Sequence, residues 1–218
     1  MENTNLSLYH HDEGNPAKRG PSSFWMHDPR QIFQEVNLKK GDTFLDLGCG
    51  AGDYSLYAAR EVGDQGSVHA VDIRKELTDA LMKKADSAGL KNITATTADL
   101  SDPLPFDDNS VDVCFLSTVL HAVDLTRVAD TLFSEIRRLL TPKGRLIIIE
   151  CKKEEMCFGP PLSMRLSPEE LEHLIPKYGF EKIDLTDLGY NYMLIFDLPE
   201  GKKTGEQKRD HRAGLDSY

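Results

Sequence analysis

The sequence predicts an α/β fold: a doubly wound, seven-stranded, mostly parallel sheet with helices on both faces and an antiparallel hairpin at its C-terminal end. Three observations carry this. Short apolar runs alternate with longer segments whose apolar residues recur at helical spacing. The last two apolar runs are separated only by a short polar turn around Gly189, too short for a parallel crossover. The length, 218 residues with 39% hydrophobic, suffices for one substantial core. One domain is therefore expected over 28–198, preceded by a polar arm or active-site cover at 1–27 and followed by a charged, glycine-containing tail at 199–218.

Taken in order, Asp28, Pro29 and Gln31 have the ingredients of a helix start, and Ile32, Phe33 and Val36 give that helix an apolar stripe ending before Gly41. Strand one is expected at 43–47 and a helix at 55–62, then strand two at 67–72. Leu77, Leu81, Ala85 and Ala88 mark the next helix, with Gly63 and Gly89 as terminators. The third strand, at 92–98, is weak in composition and is favoured by the alternation. A proline- and aspartate-containing loop at 102–110 leads to strand four at 111–116. Val128, Leu132, Ile136 and Leu139 space out a helix, and Pro142, Lys143 and Gly144 read as a turn before strand five at 145–150. Ser167, Pro168 and Glu170 form a capping box for a helix lined by Leu171, Leu174, Ile175 and Tyr178. The hairpin strands are expected at 181–185 and 192–198.

Composition removes several function classes. With 26 Lys+Arg against 36 Asp+Glu the net charge is −10, a field that opposes general phosphate-backbone binding, so nucleic acid is disfavoured. No apolar run reaches the roughly 20 residues of a membrane span, and the polar N-terminal stretch has no signal-like apolar block, which points to the cytoplasm and against membrane insertion. Cys49, Cys114, Cys151 and Cys157 lack the paired spacing of a structural zinc site, so reduced thiols and no metal are expected. Convergence of Cys49, Cys151 and Cys157 on the cleft, serving a thiophilic acceptor such as arsenite, stays as a narrower alternative. Oligomeric state is open.

The chemistry-bearing signal is Asp46-Leu47-Gly48-Cys49-Gly50-Ala51-Gly52, set between an apolar strand and a helix. Glycines there allow close backbone approach to a ligand beside the free amides of a helix start. Asp72 closes the next strand, 20 residues after Gly52, where a carboxylate can accept both hydroxyl hydrogens of a ribose.

This ordered set resembles the class I S-adenosylmethionine-dependent methyltransferases, in particular the methyltransferase type 11 and ubiquinone/menaquinone-biosynthesis-like domains, over 28–198. The resemblance extends to Pro105-Phe106-Asp107-Asp108-Asn109-Ser110-Val111-Asp112 before strand four and Leu139-Leu140-Thr141-Pro142-Lys143-Gly144-Arg145 before strand five. It implies a Rossmann-like methyltransferase fold with S-adenosyl-L-methionine as cofactor. It implies that the loop from Asp46 through Gly48, Cys49, Gly50 and Gly52 surrounds the methionine and ribose parts and that Asp72 holds the ribose. Asp99 would bond the adenine amine, the Leu100 backbone an adenine nitrogen, and Ile73 would pack on the base. Asp46 either positions the cofactor or stabilises the glycine turn. The stretch 152–161 departs from recognised acceptor signatures, as in a small microbial subgroup of unassigned acceptor.

Tyr54, directly after the loop, and Ser117, at the end of strand four, are further cofactor contacts. His121 is the catalytic candidate: it accepts a proton from the acceptor, positions a ligand, or fixes its own loop. Glu150 ends strand five without an identifiable partner in sequence. Trp25, His27 and Tyr192 are candidates to enclose the acceptor. The expected reaction is direct displacement: a methyl group passes to a small-molecule acceptor, releasing S-adenosylhomocysteine. A noncatalytic S-adenosylmethionine-binding regulatory module and an RNA or protein methyltransferase are the alternatives.

Overall fold

The computed structural model describes residues 23–199. The parts of the expected arm and tail at 1–22 and 200–218 lie outside the described residues. Seven strands form one sheet in the order β3-β2-β1-β4-β5-β7-β6. They are β1 (Thr43–Leu47), β2 (Ser67–Asp72), β3 (Ile93–Thr97), β4 (Val111–Ser117), β5 (Leu140–Cys151), β6 (Glu181–Leu188) and β7 (Asn191–Asp197). All neighbouring pairs are parallel except those of β7, which runs antiparallel between β5 and β6. The reversal of strand order beside β1 opens a crevice at the carboxyl ends of β1 and β4, where sheets of this kind bind ligands.

Helices α1 (Pro29–Val36), α2 (Asp53–Val62) and α3 (Lys75–Ser87) cover one face, and α4 (Leu125–Leu139) and α5 (Pro168–Leu174) the other. Alternation along the strands feeds both cores: Phe44 and Phe115 point to the first face, and Leu45 and Leu116 to the second. On α4 the spacing of Leu132, Phe133, Ile136 and Leu139 buries all four completely or nearly so. Each such side chain contributes about 1.5–3 kcal/mol of hydrophobic stabilisation.

Most expected elements form, and the differences have identifiable causes. Asp28 caps α1 through the Arg30 amide, at 2.9 Å, and Gln31 takes no part in that cap. Helix α2 starts at Asp53 because Gly52, in the left-handed conformation, ends the turn one residue earlier. The expected turn at Pro142, Lys143 and Gly144 lies inside β5. Lys143 adopts a φ of 71°, and the ladder continues through Lys143 N to Leu198 O and Leu198 N to Gly144 O. Helix α5 forms the capping box at Ser167 and stops at Leu174, where Pro176, lacking an amide hydrogen, forces a 3-10 turn over Ile175–Tyr178. The 102–110 loop is held to α4 by the Arg138 guanidinium, which donates to the Leu104 and Phe106 carbonyls. Among the described residues no helix is long and apolar enough to cross a membrane, and all four cysteines are free thiols.

Candidate active site

The glycine loop leaves β1 and is pinned on two sides. The Gly48 and Cys49 amides both donate to the Val71 carbonyl of β2, at 2.8 and 2.9 Å. Gly48, Gly50 and Gly52 all have positive φ, a region that glycine enters without the Cβ penalty. A Cβ at Gly48 would lie 2.5 Å from the Val119 side chain, and one at Gly52 would lie 2.3 Å from Leu81. At Gly50 nothing stands within 4 Å. The loop is thus packed against protein at both ends and faces open space in the middle.

Asp72 meets that open stretch. One carboxylate oxygen accepts the Gly50 amide at 2.9 Å, and the other accepts the Arg74 amide at 2.9 Å. The carboxylate is nearly buried and fixed, while an ionised carboxylate has about four acceptor positions, so capacity remains for a diol. Ile73 beside it is 63% exposed, an apolar surface with no protein covering it. On β3's exit loop Asp99 is exposed, and its carboxylate accepts from the Ser101 amide and hydroxyl, which hold it below the usual carboxylate range. Leu100 is half-buried against the core.

Asp46 lies deeper. Burial raises its pKa to about 7, opposed by the Ser55 hydroxyl that donates to it. That bond joins the end of β1 to the first turn of α2. Burial also raises the Cys49 thiol well above its ordinary value, which keeps it protonated and poorly nucleophilic.

At the ends of β4 and β5 the chain is strained and polar. Thr118 follows β4 with a φ of 55°, an outlier for a β-branched residue, and its amide is tied to the Ile149 carbonyl at 2.7 Å. The turn that follows carries His121 to Glu150. The imidazole Nδ1 lies 2.8 Å from one Glu150 oxygen, and the other oxygen accepts the Leu120 amide at 2.7 Å. Glu150 is 1% exposed and the His121 side chain 16%. Because a carboxylate only accepts, Nδ1 carries the proton and Nε2 holds the basic lone pair.

A model of the methyltransferase-domain family matches residues 38–199. The chain belongs to the class I S-adenosylmethionine-dependent methyltransferases. It is similar to a SAM-dependent methyltransferase structure from Aquifex aeolicus, with 30% identity, a TM-score of 0.75, and coverage of 82% of this chain and 94% of that one. It is 32% identical over 143 residues to the demethylmenaquinone methyltransferase of Lactobacillus johnsonii, covering 65% of this chain and 56% of the relative. It is 36% identical over 127 residues to the 2-phytyl-1,4-naphtoquinone methyltransferase of Trichormus variabilis, covering 55% and 53%. The chain spans about half the length of these curated relatives.

The other expected site residues of this methyltransferase divide: Ser117, Tyr54, Trp25 and His27 lie with or near the Ser23–Met26 turn, whereas Tyr192 packs in the core on the other face of the sheet. Ser117 shares a 2.8 Å hydrogen bond with Ser23, which opens a 3-10 turn over Ser23–Met26. Phe24 of that turn is buried edge-on against Tyr54, at 5.0 Å. The Tyr54 hydroxyl is buried beside Ser23 and Ser117 without a hydrogen bond of good geometry, and burial pushes its pKa up to about 12. Trp25 is 40% exposed, and His27 is half-buried with an unpaired Nε2 and a pKa lowered by burial. Tyr192 is buried, and its hydroxyl donates to the Leu166 carbonyl at 2.8 Å. Cys49, Cys151 and Cys157 form no metal-binding group with other ligands among the described residues.

Sequence reasoning missed Ser23, Val119 and Arg165, and it left Glu150 without a partner. The signal for Glu150 was present, since an acid closing a wholly apolar strand needs a nearby donor. Ser23 and Arg165 lie in stretches with no period, where nothing local marks them.

Proposed function

We propose that this methyltransferase methylates a small, neutral, oxygen-bearing acceptor of quinol-like kind, with His121 taking up the acceptor's proton. The observation that carries the reading is the 2.8 Å contact between His121 Nδ1 and the buried Glu150 carboxylate. Glu150 fixes the ring's tautomer and orientation and stabilises the imidazolium that follows proton uptake, so the pair is a positioned general base. Asp72, the Gly50 backbone and the exposed Ile73 and Asp99 are the groups that would hold the cofactor's adenosine. Gly48 and Gly52, packed against Val119 and Leu81, keep the loop in shape for it.

The bound cofactor supplies a sulfonium methyl group that is already activated, so the protein's share is alignment, exclusion of water and acceptance of one proton. His121 Nε2 receives that proton as the new bond to carbon forms. Phe24, packed edge-on against Tyr54, excludes water from that side. Similarity to enzymes named for naphthoquinone substrates supports an aromatic, oxygen-bearing acceptor.

Two measurements test this. Calorimetric titration should show binding of S-adenosylmethionine and S-adenosylhomocysteine and none of NAD; binding of NAD alone would overturn the cofactor assignment. With a methyl-labelled donor, 1,4-naphthohydroquinone kept reduced should gain label, whereas tRNA and a basic protein should not. Cofactor binding without labelled product from any small-molecule fraction would leave a noncatalytic binding module instead.

A further inference from the structure

Between the end of β4 and His121 the chain makes a turn that its local sequence does not favour. Thr118 has a φ of 55°, a region where the Cβ of an L residue crowds the following carbonyl, and a branched side chain makes the fit worse. Asn37 and Asn109, which also have positive φ, are of the type that tolerates it, and Lys143 stands at the turn inside β5. Among the described residues Thr118 alone meets this conformation with a β-branched side chain. A strained residue persists only where its surroundings over-determine it.

Each residue of the turn has its own hold. The Ser117 hydroxyl meets that of Ser23 at 2.8 Å. The Thr118 amide donates to the Ile149 carbonyl at 2.7 Å, continuing the β4–β5 ladder past its last pair, Ser117 with Ile149. In a parallel ladder carried further, the next amide to bond β5 would be that of Leu120, two residues on. Here that amide turns to the Glu150 side chain at 2.7 Å, and the His121 amide reaches the same oxygen at 3.4 Å.

Val119 holds the middle of the turn from the other side. A Cβ at Gly48 would lie 2.5 Å from one Val119 methyl group and 3.0 Å from the other, so the valine already fills the space beside the bare glycine backbone. Gly48 is itself fixed to β2, its amide donating to the Val71 carbonyl at 2.8 Å. Val119 is half-buried and packs against the core that contains Leu47, Val71 and Leu120. The glycine loop and the turn that carries His121 therefore meet through this side chain.

We infer that Val119 is a positioning residue for proton transfer: seated on Gly48, it keeps the strained turn at Thr118 from relaxing and so holds His121 against Glu150. The inference rests on reading His121 as the base. Shape is what the seat requires, since Gly48 presents no side chain to bond, and the two branches of valine make it stiff about χ1. Alanine lacks both methyl groups that face Gly48 and leaves the turn free to follow the steric preference of Thr118.

The test follows the ring Nδ1–H of His121 by nitrogen-edited NMR, a proton seen only while the Glu150 contact protects it from exchange with water. Thermal midpoint and methyl transfer to 1,4-naphthohydroquinone are measured on the same variants. Wild type should show the signal. Val119→Ala should lose it and slow transfer by about 10- to 100-fold, while the backbone amide signals of β5 stay in place. In Thr118→Asn the left-handed conformation is tolerated, and the asparagine side chain can replace the bond that the Thr118 hydroxyl makes to the Ser117 carbonyl at 2.7 Å. That variant should keep the signal and raise the midpoint, and combined with Val119→Ala it should bring the signal back. A signal in Val119→Ala equal to that of wild type, a double variant no better than Val119→Ala, a midpoint not raised by Thr118→Asn, or a wild type without the signal would each overturn the inference. Should Val119→Ala fail to fold, the midpoint of Thr118→Asn decides. If the signal depends on Val119 but wild type transfers no methyl group, the proposed function fails and the hold of Val119 on the ring stands.

Discussion

The two ends of the crevice are built differently. On the β1–β3 side, polar groups find partners within a short stretch of chain or on the adjoining strand: Asp99 with Ser101, Asp46 with Ser55, and Asp72 with Gly50 and Arg74. On the β4–β7 side the partners are remote, with Ser23 meeting Ser117 across 94 positions and His121 meeting Glu150 across 29. Asn191, at the start of β7, has a buried side-chain amide without a hydrogen-bond partner. A short motif can shape one end of a crevice from residues close together in the chain, whereas the other end is collected from distant segments.

The sharpest way to separate the two sides is His121→Gln, which can still hydrogen-bond Glu150 but cannot take up a proton. Its kcat should fall by about 10²–10⁴ while cofactor affinity stays within twofold; a kcat near wild type would remove His121 from proton transfer. Asp72→Ala should do the reverse. Losing charge-assisted hydrogen bonds worth about 1.5–3 kcal/mol weakens cofactor binding by about 10- to 100-fold, as read by calorimetry, and unchanged affinity would break the assignment.

A smaller effect divides the glycine loop itself. Gly48→Ala pushes a methyl group into Val119 and should lose about 1–3 kcal/mol of folding stability. Gly50→Ala meets no protein atom, so its stability loss is confined to the left-handed backbone, about 1–2 kcal/mol, and its main effect should be on cofactor affinity. Equal effects of the two on both readouts would show that the open space at Gly50 is not where the ligand lies.

The smallest expected signal is a pH slope. Asp46, raised by burial to about 7 from an ordinary 3.8, holds a proton in the folded state that the unfolded chain has already released between those values. Stability from this group is therefore lost as pH rises through that window. Asp46→Asn carries no such titration, so its thermal midpoint relative to wild type should climb between pH 4.5 and 7.5; parallel curves would show that Asp46 does not titrate there.

This division also governs what could be read from sequence. The sheet, its hairpin and the helix faces were legible because alternation and helical spacing report burial directly. The glycine loop and Asp72 were legible because their partners lie one turn or one strand away. Glu150 was visible as an acid closing an apolar run, but its union with His121 depends on how the turn after β4 folds over β5. The turn at Pro142, Lys143 and Gly144 was legible and forms, with Lys143 at a φ of 71° and regular pairing with β4 from Arg145 onward; what sequence did not show is that β5 begins before it at Leu140, which depends on pairing with Val111 and Leu198. Ser23 and Arg165 were missed because long-range packing defines them.

Arg165 gives the 152–160 loop an economy of design, its guanidinium donating to the carbonyls of Lys152, Glu154, Phe158 and Pro160. One forked cation replaces the backbone ladder that a loop of this length would otherwise need, and lysine, with a single ammonium, cannot reproduce that planar fork. The exposed Glu154 and Glu155 are consequently free to vary in side chain so long as the loop's carbonyls reach the same hub, whereas Phe158 packs on Tyr190 and Gly159 holds a φ of 83°. In this chain the course of the loop is therefore set by one planar fork rather than by a run of strand pairing.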